Sequence, residues 1–228
     1  MELEKVTESR RSEPKRSYGD ACGTAHGLEL IGERWTLLVL RELMLGPRRF
    51  SELRGDLPGI SANVLSQRLG ELEDKGLVRR RRLPPPASVQ VYEATEWGLE
   101  AEPIVQTLGR WAARSPKHDS TLPISGVSIL LSMRTMIDRA RAQGLDANLN
   151  FRFRQDAYTG HLHEDGIEIV RGEHPAPDLS IAAHPQALAA VLYGKAPYDL
   201  IEWSGDRILL DRFVDLFHLP PKATIPGH

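Results

Sequence analysis

The chain has 228 residues, room for two modest domains, and its 41% hydrophobic and 26% charged content is ordinary for a globular protein. No apolar run approaches the roughly 18 residues of a membrane span. The opening MELEKVTESRRSEPKRSYGD lacks a signal-peptide core, and the single cysteine, Cys22, excludes an internal disulfide framework, so a cytoplasmic location is expected. The formal charge of −2 is unevenly spread: residues 48–82 carry nine Lys/Arg against five Asp/Glu, while residues 117–228 carry 11 against 14.

Residues 1–19 have no periodic apolar face and read as a mobile arm, whose Lys5, Arg10, Arg11, Lys15 and Arg16 are nearly balanced by Glu2, Glu4, Glu8 and Glu13. A first helix carries Leu28 and Ile31 and ends at Gly32. A second, Arg34 to Leu45, sets Trp35, Leu38, Val39 and Leu43 on one face before Gly46-Pro47 stops it. A short helix follows, with Phe50 and Leu53 inward, closed by Pro58-Gly59. Over 61–75, Ser61 is an N-cap, Ile60 and Leu65 have the spacing of a hydrophobic staple, and Leu65, Leu69 and Leu72 form a buried stripe. Gly76 suits the position just past the helix end. Leu77–Leu83 and Val89–Ala94 read as a hairpin with the stiff tip Pro84-Pro-Pro-Ala-Ser88. A long helix from Glu96 shows Trp97, Ile104, Leu108 and Trp111 on one face, with Pro103 marking its first turn or a kink.

Residues 115–123 have linker composition. Beyond them a helix at about 127–142 precedes alternation over 149–172, where Leu149, Phe151 and Phe153 interleave with Asn150, Arg152 and Arg154. A short strand near 179–182 and helices at about 185–193, 197–203 and 209–217 complete an α+β unit over 124–222, leaving a tail at 223–228.

On the helix 61–75, with Leu65 inward, Asn63, Gln67 and Gly70 point outward and Ser66 lies on the flank. Short polar groups near a helix N-terminus suit the reading of base edges, since Asn and Gln pair bidentately with adenine. Arg79, Arg80, Arg81 and Arg82 repel one another, which suits phosphate contact better than a core-facing strand. Arg48 and Arg49 offer a third basic patch. Taken singly, outward polar groups and charge runs are more often solvated surface. The order helix, helix, short helix, polar-faced helix, basic hairpin, helix is more specific than any part, and points to double-stranded DNA as partner. The apolar face on the long helix fits a second copy of the chain or an internal core about equally.

Cys22 opens the first helix, where backbone amides lower a thiol's pKa, and is a candidate redox residue; the plainer reading is a small side chain packing the helix start. His161 and His163 share a strand face but lack a third ligand at metal spacing, so no metal is assigned. No phosphate-cradling glycine loop, GxSxG or zincin motif is present, so neither an enzyme nor a cofactor is expected.

The runs CGTAHGLELIGERWTLLVLREL, GPRRFSEL, GISANVLSQRLGELEDKGLVRR and VYEATEWG resemble the HxlR-type, MarR-related regulators, over about residues 20–114. That resemblance implies a mainly α winged helix-turn-helix domain in a homodimer, with DNA contacts at Asn63, Ser66, Gln67, Arg68 and the basic wing; Ser61, Arg48 and Arg49 complete the candidate set. PDLSIAAHPQALAAVLYGKA and WSGDRILLDRFVDLF resemble a sterol-carrier-protein-type α+β domain. It implies a cavity for an apolar small-molecule effector, with Met133, Ile137, Phe151, Phe153, Leu188, Leu192, Trp203, Phe213 and Phe217 as pocket candidates. At apolar periodicity such residues are more often plain core, and Trp203 and Phe217 are large enough to fill the cavity, which would leave a dimerisation or partner module. The function expected is an effector-modulated, sequence-specific DNA-binding transcriptional regulator. The alternative is a lipid or small-molecule carrier whose winged helix makes protein contacts.

Overall fold

The structure, a computed structural model, describes residues 17–224. Residues 1–16 of the expected arm, with Lys5, Arg10, Arg11, Lys15 and Arg16, and residues 225–228 of the expected tail lie outside the described residues.

In the N-terminal half, α1 (Gly23–Ile31), α2 (Thr36–Glu42), α3 (Phe50–Asp56) and α4 (Ala62–Asp74) precede a hairpin of β1 (Val78–Arg82) and β2 (Gln90–Ala94). The α2 start falls later than periodicity suggests because Trp35 adopts φ 78°, a left-handed conformation no helix can pass through. Ser61 caps α4 by accepting from the Val64 amide at 3.3 Å, and Gly76 turns the chain out of it at φ +74°. Leu65, Leu69 and Leu72 are fully buried against Val39, Leu40, Leu43 and Leu53. Arg48 exchanges both backbone hydrogen bonds with Tyr92, adding one rung of a third strand beside β2.

The long helix expected from Glu96 is two helices, α5 (Glu96–Leu99) and α6 (Glu102–Ala113). Pro103 sits in the first turn of α6, where its missing N–H has no helical partner to lose, so the chain restarts there rather than kinking.

In the C-terminal half, α7 (Gly126–Met136) stops earlier than expected: Ile137 is extended and bridges to Phe217. Next come β3 (Ala147–Phe153), β4 (Asp156–His163), β5 (Gly166–Arg171), β6 (Leu179–Ala182), α8 (Pro185–Gly194), β7 (Glu202–Gly205) and α9 (Arg207–Val214). The strands form one sheet in the order β5-β4-β3-β6-β7, antiparallel except for the β3–β6 pair. The helix expected at 197–203 is a 3₁₀ turn at Tyr198–Leu200 followed by the edge strand β7, whose Trp203 pairs with Ile181. Leu149, Phe151, Phe153, Tyr158, Leu162 and Ile181 are buried in a hydrophobic cluster with residues of α7, α8 and α9.

That cluster runs without a break through both halves of the chain. Polar links also cross between them, Arg110 on α6 donating to the Thr135 carbonyl on α7 at 3.0 Å among others. Ser125 Oγ, the N-cap of α7, lies 2.8 Å from Glu42 Oε1 on α2; Arg134 on α7 bonds Glu102 on α6 at 2.6 Å; and Arg48 bonds Asp156 on β4 at 2.6 Å. The chain end returns to α6 as well: Lys222 Nζ donates to the Ala113 and Ser115 carbonyls, and the Ala223 amide donates to the Arg114 carbonyl at 2.7 Å.

Glu42 is wholly buried; Arg41 and Ser125 reach its Oε1, while Oε2 has no partner among the described residues. Burial pushes its carboxyl above the usual glutamate range, so the folded chain holds that proton more tightly than the unfolded one. The linked stability is complete below the ordinary glutamate pKa and is lost as pH climbs through the folded value. Glu42→Gln, which keeps the acceptor and cannot ionise, is therefore expected to lose less stability than the wild type as pH rises from about 5 to about 8. Urea midpoints of both proteins at a series of pH values check this; parallel curves refute it.

Candidate nucleic-acid interface

Leu65, Leu69 and Leu72 of α4 face inward, which obliges residues on the opposite side to face out. Asn63, Ser66 and Gln67 are all exposed on one side of its first two turns. Gln67 Nε2 donates to Glu71 Oε1 at 3.0 Å, an exposed bond that water or a base edge can replace. Beside α4, β1 presents Arg79, Arg80, Arg81 and Arg82, all exposed, while Val78 alone of that strand is buried. Arg80, Arg81, Arg82, Ser88 and Gln90 line an open concavity of about 310 Å³ on the hairpin.

The wing arginines are not bare. Arg80 grips Glu73 on α4 through Nε and Nη2 at 2.5–3.0 Å, and its guanidinium lies 5.7 Å from the Tyr92 ring centre. Arg79 and Arg81 share Glu93 across the hairpin at 2.6 and 2.8 Å. Their side chains remain 47–67% exposed, and exposed ion pairs contribute only about 0–1 kcal/mol. A phosphate with its released counterions competes readily against such a pair. Among the described residues Arg82 enters no ion pair.

Two of the expected contacts are corrected. Arg48 is 2% exposed and engaged with Asp56, Asp156 and Tyr158, so it points into the molecule and away from any ligand. Arg68 is only 12% exposed along its side chain, held by Glu71 on its own helix and by Glu33 at 3.7 Å. Lys75, counted in the basic window, donates to the Glu29 and Leu30 carbonyls near the end of α1, both at 2.8 Å. Ser61 is exposed with its hydroxyl engaged as the cap of α4, and Arg49 is exposed beside Glu52. Arg54, a further exposed cation on α3, was visible in the charge count but had no periodic feature to single it out.

The apolar residues expected to line a pocket in the C-terminal half lie mostly within its core. Met133, Leu188, Leu192, Phe213 and Phe217 are wholly buried, with Phe151 and Phe153 nearly so. The Phe213 ring lies 6.0 Å from Phe151 and 5.1 Å from Phe217, so these rings pack against one another within the core. Ile137 is half-buried against the same cluster. Trp203 is half-buried too, and lines a different, open cleft of about 370 Å³ with Asn150, Arg152, Glu173 and Ser204 on the sheet. His161 is bonded to Asp146 at 2.9 Å, its ring 5.5 Å from that of His163; among the described residues no group of three or more metal-ligating side chains converges. No helix among the described residues is long and apolar enough to cross a membrane.

Compared with known proteins, residues 30–120 match the family model described as HxlR-like helix-turn-helix. The chain is 43% identical over 94 residues to YkvN of Bacillus subtilis (strain 168), an uncharacterized HTH-type transcriptional regulator, covering 40% of this chain and 77% of that protein. It is 39% identical over 83 residues to the HTH-type transcriptional regulator YodB of the same organism, covering 36% of this chain and 74% of that one. The solved structure of reduced YodB from B. subtilis is 34% identical, with a TM-score of 0.39, and the match covers 43% of this chain and 98% of that chain.

Cys22 is the N-cap of α1, free and exposed. Backbone hydrogen bonds from Thr24 and Ala25, with the Thr24 side chain, draw its thiol below the ordinary value. Alkylation by iodoacetamide, followed by mass spectrometry across pH, is expected to reach half its maximal rate below the pH found for Cys22 in the unfolded chain. Coincident profiles would remove the basis for a reactive thiol.

Proposed function

Since the chain belongs to the HxlR-like helix-turn-helix family, we propose that it is a sequence-specific, DNA-binding transcriptional regulator working as a homodimer. The observation that carries the DNA reading is the juxtaposition of the polar outward face of α4 with the four exposed arginines of β1. α4 enters the major groove and presents Asn63, Ser66 and Gln67 to base edges. The wing sets Arg79–Arg82 against the flanking phosphates, where Glu73 and Glu93 are displaced or retained as weak internal partners.

The dimer reading rests on unburied apolar surface. α1 has no buried residue despite its apolar composition. On α6, Ile104, Leu108 and Trp111 recur at i, i+4 and i+7 and are all exposed, Trp111 to 71%; Trp97 and Leu99 of α5 are exposed as well. A helix face of this kind is covered by a like face across a two-fold axis, which places two recognition helices one turn of DNA apart, about 34 Å.

The C-terminal half, read as a sterol-carrier-type module, serves here as a scaffold. Its sheet has the helices α7, α8 and α9 in one cluster with it, and a core occupied by its own aromatics favours neither an apolar effector nor the alternative of a lipid carrier. An effector, if one acts, is looked for at Cys22 or on the open sheet cleft.

Gln67→Ala is expected to cost about 1–3 kcal/mol in binding to a duplex that the wild type selects from a random-sequence pool, and to leave binding to a scrambled duplex nearly unchanged. Arg82→Ala is expected to weaken both duplexes alike and to lower the slope of log K against log salt by about 1. Fluorescence anisotropy titrations from low to moderate salt measure both, and a Gln67→Ala protein that still discriminates like the wild type refutes the placement of α4.

Trp111→Arg is expected to shift the protein from dimer to monomer in sedimentation velocity at micromolar concentration. A dimer that persists unchanged in this variant overturns the assignment of the α6 face.

A further inference from the structure

Arg48 is more than a buried charge. Its backbone is hydrogen-bonded in both directions to Tyr92 of β2, at 2.9 and 2.8 Å, so it is fixed to the root of the wing. Its guanidinium is bonded to Asp56, the last residue of α3, from which only five residues lead into α4. The same guanidinium reaches across to β4, where Asp156 accepts at 2.6 Å and the Tyr158 hydroxyl lies 3.4 Å away. Asp156 is held in turn by Arg171 of β5 at 2.9 Å, and Arg171 lies over the Tyr158 ring at 5.4 Å. One side chain thus ties together the wing, the helix before the reading helix, and the sheet of the C-terminal half.

The chemistry makes this tie rigid. A guanidinium withdrawn from water needs anions in fixed directions, and its planar fork accepts few arrangements of them. Buried ion pairs of this kind add little net stability, but a wrong geometry leaves an uncompensated charge, so they penalise alternative packings heavily. Here the alternatives are other tilts of α3 relative to β2, which set how α4 and the wing meet the two features they read.

Resting on the DNA-binding reading above, we infer that Arg48 is a positioning residue for DNA recognition, and that the C-terminal sheet, through Asp156, fixes the relative placement of the reading helix and the wing. The C-terminal half is in this sense a working part of the reading head. Neither Arg48 nor Asp156 touches DNA. Their effect falls on discrimination between sequences, which needs α4 and the wing in register together, and spares the sequence-independent attraction of the exposed arginines.

The test uses the full chain and the isosteric Asp156→Asn variant. Affinities are measured on one preparation for the duplex that the wild type selects from a random pool and for its scrambled counterpart. The expected result is a fall of about three- to thirty-fold in the ratio of the two affinities, with binding to the scrambled duplex within about two-fold of wild type. Asp156→Glu, which restores the carboxylate, is expected to recover part of the ratio. An unchanged ratio in Asp156→Asn, or an equal loss on both duplexes, overturns the inference, because a merely structural role weakens the folded fraction without changing its preference. Should the Asn variant lose its cooperative melt, Tyr158→Phe gives the milder perturbation of the same guanidinium, and a ratio unmoved there also overturns it. A wild type that enriches no sequence at all refutes the DNA-binding reading itself, and this inference with it.

Discussion

A guanidinium cannot be left in a protein interior without carboxylates around it, and much of this molecule's arrangement follows from how Arg48 meets that demand. Its short-range partners come from positions 56 and 156, a hundred residues apart, and bringing them to one point presses the N-terminal winged core onto the C-terminal sheet at the strand end where β4 begins. Glu102 beside Arg134 repeats the pairing along the same seam, and the buried Glu42 accepts there from the Ser125 hydroxyl. The apolar cluster supplies the driving force for closure, since burial is favourable in almost any packing. The charges select which packing.

The same division explains the basic window. Of its nine cations, Arg48, Arg68 and Lys75 are committed inward, to three carboxylates and a phenol, to Glu71 and Glu33, and to the carbonyls near the end of α1. Arg49, Arg54 and the four wing arginines stay at the surface. The inward cations hold the frame and the outward ones meet the solvent, so the local excess of positive charge serves two ends. Burial also pushes the Tyr158 phenol up to about 12, which keeps it neutral beside the Arg48 and Arg171 guanidinium groups at physiological pH.

What could be read from the residues alone was what local physics controls. The leucine stripe of α4, its Ser61 cap, the exit at Gly76 and the outward set Asn63, Ser66 and Gln67 follow from helical periodicity, and the hairpin follows from its proline-bounded runs. What escaped depends on distant partners. Nothing around Arg48 distinguishes it from Arg49, because the difference lies in Asp156. Arg68 is held by Glu71 one turn along its own helix and by Glu33, which the α1–α2 turn brings to it from outside any local pattern. The aromatic residues of the C-terminal half have the periodicity of a wall, but which rings meet, here Phe213 with Phe151 and Phe217, is set by elements far apart in the chain. The helix expected at 197–203 became a strand because β6 offered an unpaired edge, which outweighs any preference read from seven residues.

The strap at Lys222 and Ala223 has a further consequence. It fastens the chain back to Ala113, Arg114 and Ser115, the points at which the path first leaves α6, so the C-terminal half is bracketed at both its entrance and its exit by one short stretch of helix end. A unit tethered at two adjacent points behaves as a closed loop inserted at α6. Tension applied between Tyr18 and Ala223 would load the winged core and bypass the sheet until the strap gives way.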